Sequence, residues 1–158
     1  MGNNRASERY AKSLLMLSID ERITNEIKGD IDLIIDSFSK SREISSLYLS
    51  PIIPIKHKIS ITKKIFTGKI HNNTLNLLLN LIIRKRDSLI ESILNKFNEL
   101  YNAHMNIEES SITTTFNLDQ KSLDVVKSFA EKITDKNIIL ENNINKEIVG
   151  GFNLKIGD

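Results

Sequence analysis

Through the first hundred positions, apolar residues recur every three or four residues, the period of a helix with one buried face. The stretch ERYAKSLLMLSIDE puts Tyr10, Leu14 and Leu17, with Ala11 and Leu15, on one broad arc. TNEIKGDIDLIIDSFSKS repeats the pattern with Ile27, Ile31, Ile34, Ile35 and Phe38. SREISSLYLS is a short helical piece that must stop before Pro51, because the residue preceding a proline leaves the helical region. PIKHKISITKKIFTGK opens on Pro54, suited to a first turn, and ends near Gly68, with Ile55, Ile59, Ile61, Ile65 and Phe66 as its apolar positions. NNTLNLLLNLIIRKRD is the most apolar: Leu75, Leu78, Leu79 and Ile82 share a face, and Asn73, Asn76, Asn80, Arg84 and Asp87 line the other. DSLIESILNKFNELYNAHMN closes the series with Ile90, Ile93, Leu94, Phe97, Leu100 and Tyr101. Six helical segments with short connections predict an antiparallel bundle over residues 1–105.

Near residue 106 the period changes to two. In IEESSITTTFNL, residues Ile112, Thr114 and Phe116 alternate as in a strand. Asp119 is placed to cap a helix carrying Leu123, Val126, Ala130 and Ile133. KNIILENNI and EIVGGFNLKI read as two more strands, joined by NKE as a hairpin turn. The fold class expected is therefore mainly α: a six-helix bundle, then a small strand–helix–strand–strand α/β domain over residues 106–158. Gly150 and Gly151 interrupt the last strand, which predicts a bulge there or a close approach to their backbone by another element.

Composition narrows the chemistry. The chain has 158 residues, 40% hydrophobic and 27% charged, with a net charge of +2 and no cysteine. That excludes thiol chemistry and disulfides, and it offers no basic excess for nucleic acid. No apolar run reaches 18 residues, so no membrane insertion is expected. No apolar segment follows Arg5 as a secretory signal would require, and MGNNRAS places Ala6 where a myristoylation site needs Ser or Thr. His57, His71 and His104 have no metal-like spacing and read as solvent-facing helix residues, so neither a metal nor a cofactor is expected. The Gly-Gly pair is followed by no helix and is not a phosphate loop. No catalytic residue can be nominated, and a two-part chain without an active site reads as an adaptor, scaffold or regulator. The face of Asn73, Asn76 and Asn80, bordered by Leu77 and Ile83, is either an ordinary solvated surface or a seat for another helix.

Three passages resemble one family. RYAKSLLMLS (Arg9 to Ser18) looks like its opening Arg-Tyr-Ala helix, and LYLSPIIPIKHKISITKKIFTGKI (Leu47 to Ile70) is similar to its short turn, Ser-Pro, helix and Phe-x-Gly passage. The ending is the most specific: Ile148, Gly150, Gly151, Phe152, Leu154, Lys155 and Gly157 match a structural signature. Together they resemble the delta subunit of F-type ATP synthases, related to the mitochondrial oligomycin-sensitivity-conferring protein. Family members continue beyond Ile-Gly-Asp into a terminal helix that this sequence lacks, which puts the completeness of the small domain in question.

The resemblance implies a non-catalytic stator subunit that links the catalytic head to the peripheral stalk, so that rotor torque is resisted during proton-driven ATP synthesis. The helical domain would receive the N-terminal helix of an alpha subunit between its first and fifth helices. The residues that correspond are Tyr10, Ala11, Leu14 and Leu15, with Asn76, Leu79, Asn80 and Ile83. The small domain would meet the b subunits of the stalk. The implied location is the cytoplasmic face of a bacterial plasma membrane, peripheral through the complex. The competing expectation is an all-helical RNA-binding factor of the antitermination type, for which the sequence offers only Lys63-Lys64 and the Arg84–Arg86 run.

Overall fold

The computed structural model describes residues 2–145, 148 and 151–157, with side chains from Arg5 onward. Its elements run α1 (Gly2–Asp20), α2 (Thr24–Lys40), α3 (Arg42–Leu49), α4 (Ile55–Phe66), α5 (Asn72–Ile83), a 3-10 turn (Asp87–Leu89) and α6 (Ile90–His104). Then come β1 (Ile107–Thr114), α7 (Gln120–Thr134), β2 (Asn137–Ile144) and β3 (Asn153–Ile156). The chain divides into two compact units, Met1–Tyr101 and Asn102–Asp158. A mainly helical chain with one small sheet is thus the architecture that the hydrophobic period implied.

In the helical unit the buried faces are more polar than the sequence pattern suggested. Helix α1 buries Ser7, Ala11, Leu14, Leu15 and Ser18, a face of small residues at its two ends and middle. Leu17, expected on that arc, is 41% exposed. Helix α2 buries Ile27, Ile31 and Ile34 together with Asp30. The Asp30 carboxylate accepts from the His71 backbone N–H at 2.8 Å and the Thr74 hydroxyl at 2.6 Å. It therefore supplies negative charge to the N-terminus of α5, where unpaired amides and the helix dipole favour an anion. His71 is not the solvent-facing helix residue expected: it is the N-cap of α5, and its Nδ1 accepts from the Asn73 backbone N–H at 3.2 Å.

The largest departure is in α4. Ile55, Ile59 and Ile65 are half-buried and Ile61 is exposed, while the fully buried line is Lys58, Thr62 and Phe66 at i, i+4 and i+8. Only 4% of Lys58 is exposed. Its ammonium donates to the carbonyls of Tyr48 at 3.3 Å and Ser50 at 2.7 Å, and to the carboxylate of Asp87. Three donors meet three acceptors, so the buried charge is both paired and satisfied, the condition under which a buried ion pair persists. Burial also pushes the Tyr48 phenol above its ordinary 10.0; its hydrogen bond to Thr62 opposes that shift and nearby Asp87 adds to it. Hydropathy alone could not place a lysine at the centre of a buried stripe.

In the second unit β1 is the central strand, and the order is β2-β1-β3. β1 and β2 are parallel, with Ile112 opposite Asn142, and α7 forms the crossover that a parallel pair needs. β3 runs antiparallel to β1, with Leu154 opposite Ile112. The expected hairpin between the last two strands therefore does not form: they flank β1 on opposite sides. The last strand is also shorter than its alternating pattern suggested, and Ile148 lies outside it. Phe116 falls beyond the end of β1 and is exposed. The Asp119 side chain caps α7, accepting from the Ser122 backbone N–H at 3.0 Å; hydrogen bonding from the Ser122 side chain, and then from its backbone, holds the carboxyl below the usual carboxylate range. α7 buries Ala130 and half-buries Leu123 and Val126, but Ile133 points outward.

Replacing Lys58 with Met should leave the Asp87 carboxylate and two carbonyls without their donor. The expected loss is about 3 kcal/mol, the low end for breaking one side of a buried pair, read as a lower urea midpoint with an unchanged slope.

Candidate functional site

The surface over α1 and α5 is framed by two side-chain bridges. Arg86, just past α5, donates to the Tyr10 hydroxyl at 2.8 Å and lies 5.7 Å from the centre of its ring. At the other end, the Asn73 amide donates to the Glu21 carboxylate at 2.7 Å. Tyr10 is thus joined to the exit of α5 and Glu21 to its start, so the two helices run antiparallel. Tyr10, Leu14, Leu17 and Glu21 are spaced i, i+4, i+7 and i+11, one flank of α1. That flank is the one turned to α5.

This geometry sorts the residues expected here. Tyr10 is half-buried at the rim. Ala11, Leu14 and Leu15 are buried and belong to the bundle core beneath the surface, because α1 rests on them. On α5, Asn76 and Asn80 are exposed, and Ile83 is 57% exposed beside them. Leu79 is half-buried and lies one turn before Ile83, on the edge of the amide face opposite Leu77. Two residues absent from the expected set complete the surface: Leu17 on α1 and the half-buried Leu77, on the same side of α5 as Asn73. Periodicity places Leu17 on the same arc as the core residues, since a helix stripe more than 100° wide has no sharp edge in sequence. Met16 and Ile19 are exposed elsewhere on α1.

In the second unit a concavity of about 510 Å³ is lined by Phe116, Leu118, Val125, Val126, Gly151 and Phe152 together with Ile112, Thr114 and two residues of the first turns of α7. Val125, Phe129 and Ile133, at i, i+4 and i+8, extend an exposed apolar line along α7. The C-terminal signature residues are distributed around it. Phe152 is exposed, Leu154 is half-buried opposite Ile112, and Lys155 is exposed opposite Ser111. Gly151 has φ +81 with nothing within 4 Å of a notional Cβ, so the expected close approach is absent there and the left-handed backbone is its reason for being glycine. Gly157 has φ +71, and a Cβ there would also meet the Glu108 carboxylate. Gly150 lies outside the described residues.

The family model for the ATP synthase delta (OSCP) subunit matches residues 6–158. The ATP synthase subunit delta of Amoebophilus asiaticus is 35% identical over 158 residues, covering 99% of this chain and 85% of that protein. That of Flavobacterium psychrophilum is 27% identical over 160 residues, covering all of this chain and 89% of that one. A chain from the cryo-EM structure of the Toxoplasma gondii mitochondrial ATP synthase hexamer superposes with a TM-score of 0.78 at 17% identity, over 94% of this chain and 83% of its own, a likeness of fold. The chain belongs to the ATP synthase delta (OSCP) subunit family. None of its described helices is long and apolar enough to cross a membrane.

The difference between core and rim on α5 can be read thermally. Leu78→Asp, at a position only 1% exposed, should abolish cooperative melting. Ile83→Asp should stay within about 0.5 kcal/mol of the parent, the range for surface changes.

Proposed function

We propose that the protein is a non-catalytic stator subunit, which holds the catalytic head of an F-type ATP synthase to its peripheral stalk and so resists rotor torque. Residues 1–105 act as the head-binding domain and receive the N-terminal helix of an alpha subunit along α1 and α5. Residues 106–158 act as the stalk-side domain and meet the b subunits. The complex carries the protein to the cytoplasmic face of a bacterial plasma membrane, without insertion of its own. Family membership supports the assignment to the complex, and the names of the bacterial relatives agree with it.

The observation that carries the reading of the head-binding face is α5 itself. Between Ile70 and Ile83 the sequence has no Lys, Arg, Asp or Glu, yet Asn72, Asn76, Asn80 and Ile83 are exposed. A solvated helix normally spends such positions on charge. An uncharged face of amides edged by Leu17, Leu77 and Ile83 loses little on desolvation and can meet an amphipathic helix through i, i+3, i+4 and i+7 anchors.

Calorimetric titration with a synthetic alpha-subunit N-terminal peptide tests this. Ile83→Asp should weaken binding tenfold or more, since a charge stranded in an apolar contact costs roughly 2–5 kcal/mol and 1.4 kcal/mol is one decade. Unchanged affinity would move the binding site off this face. The two-domain division has its own test: a chain ending at Met105 should still melt cooperatively, and a non-cooperative melt would refute it.

A further inference from the structure

The concavity of the second unit has the dimensions and the lining of a small-molecule site. Its volume of about 510 Å³ lies within the roughly 300–1,000 Å³ of cavities that take such ligands. β1 supplies Ile112 to its wall, the connection into α7 supplies Phe116 and Leu118, α7 supplies Val125 and Val126, and Phe152 stands before β3. Gly151 forms part of the wall with backbone alone: its φ of +81 disfavours any side chain, and a Cβ there would meet nothing within 4 Å. Phe116, Val125 and Phe152 are each more than half exposed, so apolar surface around the opening is left in water.

The polar groups of the lining are already engaged, with one exception. The Thr114 hydroxyl donates to the Phe116 carbonyl at 2.6 Å and lies 3.0 Å from the Asn142 side-chain oxygen. Ser122 meets the Asp119 carboxylate with both its hydroxyl and its backbone N–H. Lys121 is exposed, is the one charged residue among the described lining residues, and pairs with no described carboxylate. The acids nearest in sequence do not neutralise it: Asp119 is held by Ser122, Asp124 accepts from the Gln120 amide at 2.9 Å, and neither lines the cavity.

We propose that this cavity binds a free amphiphilic anion: a carboxylic acid with an aliphatic or aryl body, the body among Ile112, Val126 and Phe152 and the carboxylate on the Lys121 ammonium. The body must lack polar groups, because a further donor or acceptor inside would be desolvated without a partner. The charge at the mouth then sorts ligands of one shape. A neutral amphiphile gains nothing from Lys121, a cationic one sets like charges together, and an anionic one alone completes the lining. The site lies wholly within the second unit and is independent of the α1 and α5 surface.

The test uses the isotope-labelled full chain, followed by amide NMR, and titrates decanoate below its micelle concentration, with decanol and decyltrimethylammonium as neutral and cationic counterparts. Decanoate should bind saturably and shift the resonances of residues 112–126 and 151–152, leaving those of α1 to α6 in place. Lys121→Gln should weaken decanoate about twofold to fivefold, the range of an exposed ion pair, and leave decanol unchanged. Val125→Trp, which fills the opening from an exposed position, should abolish decanoate binding while the melting temperature holds. If Lys121→Gln binds decanoate as the parent does, or the cation binds as tightly as the acid, selection for an anion is overturned. Absence of shifts at the cavity, or shifts spread over the exposed residues of both units, overturns the site itself. Sedimentation with phosphatidylglycerol vesicles that Lys121→Gln abolishes, without decanoate binding in solution, would assign Lys121 to a membrane surface and overturn the inference.

Discussion

The buried ammonium of Lys58 organises the helical unit. Desolvating a cation costs several kcal/mol, so the fold must supply partners from every side, and here they come from three places in the chain. The carbonyls of Tyr48 and Ser50 fix the turn that leads into Pro51, and Asp87 fixes the connection between α5 and α6. Asp87 is the neighbour of Arg86, whose guanidinium sits against Tyr10 of α1. Removing Lys58 therefore disturbs more than a local pair: it frees the segment that joins α1 to the exit of α5. A hydrophobic residue at the same position would pack, but it would leave the turn and the connection without a common anchor.

The two ends of α5 are held by different chemistry. Its first turn is satisfied by the buried Asp30 carboxylate and the His71 side chain, both acceptors aimed at free amides. Its last turn gives way to a basic run, of which Arg86 is fixed and Arg84 is free to face solvent. Polar anchoring at both ends lets the middle of the helix be wholly uncharged. One side then fills the core with Leu75, Leu78, Leu81 and Ile82, and the other presents amides and Ile83. The absence of charge on that face is a property of the sequence. Its proposed use as a binding surface depends on α1 lying alongside with Leu17 turned toward it.

In the small unit, pairing on both sides makes β1 the organising strand. Ser110, Ile112 and Thr114 point to the covered face, and Ile138 of β2 joins them in the core. α7 covers that face with little more than Ala130 and the half-buried Leu123 and Val126, leaving Val125, Phe129 and Ile133 outside. Among the described residues of the unit, seven large apolar side chains are more than half exposed: Phe116, Val125, Phe129, Ile133, Ile139, Ile144 and Phe152. They are spread over the outer side of α7, the rim of the concavity and the side of the sheet that α7 does not cover, so the apolar surface is not gathered on one face.

Local sequence alone determined the six helical segments, the change to strands near residue 106, the cap at Asp119 and the mainly helical class. Each of those follows from local spacing and capping chemistry, which nearby residues encode. Legible too was the asparagine face of α5, because a missing charge is visible without coordinates. What tertiary structure decided is which residues share a partner. Lys58 is buried because acceptors 8, 10 and 29 residues away converge on it, and no hydropathy scale records that convergence. Leu17 and Ala11 look alike on a wide apolar arc, and only the position of α5 divides rim from core. The order β2-β1-β3 replaced the expected hairpin because strand pairing is a long-range choice, and a short link between two strands does not oblige them to be neighbours.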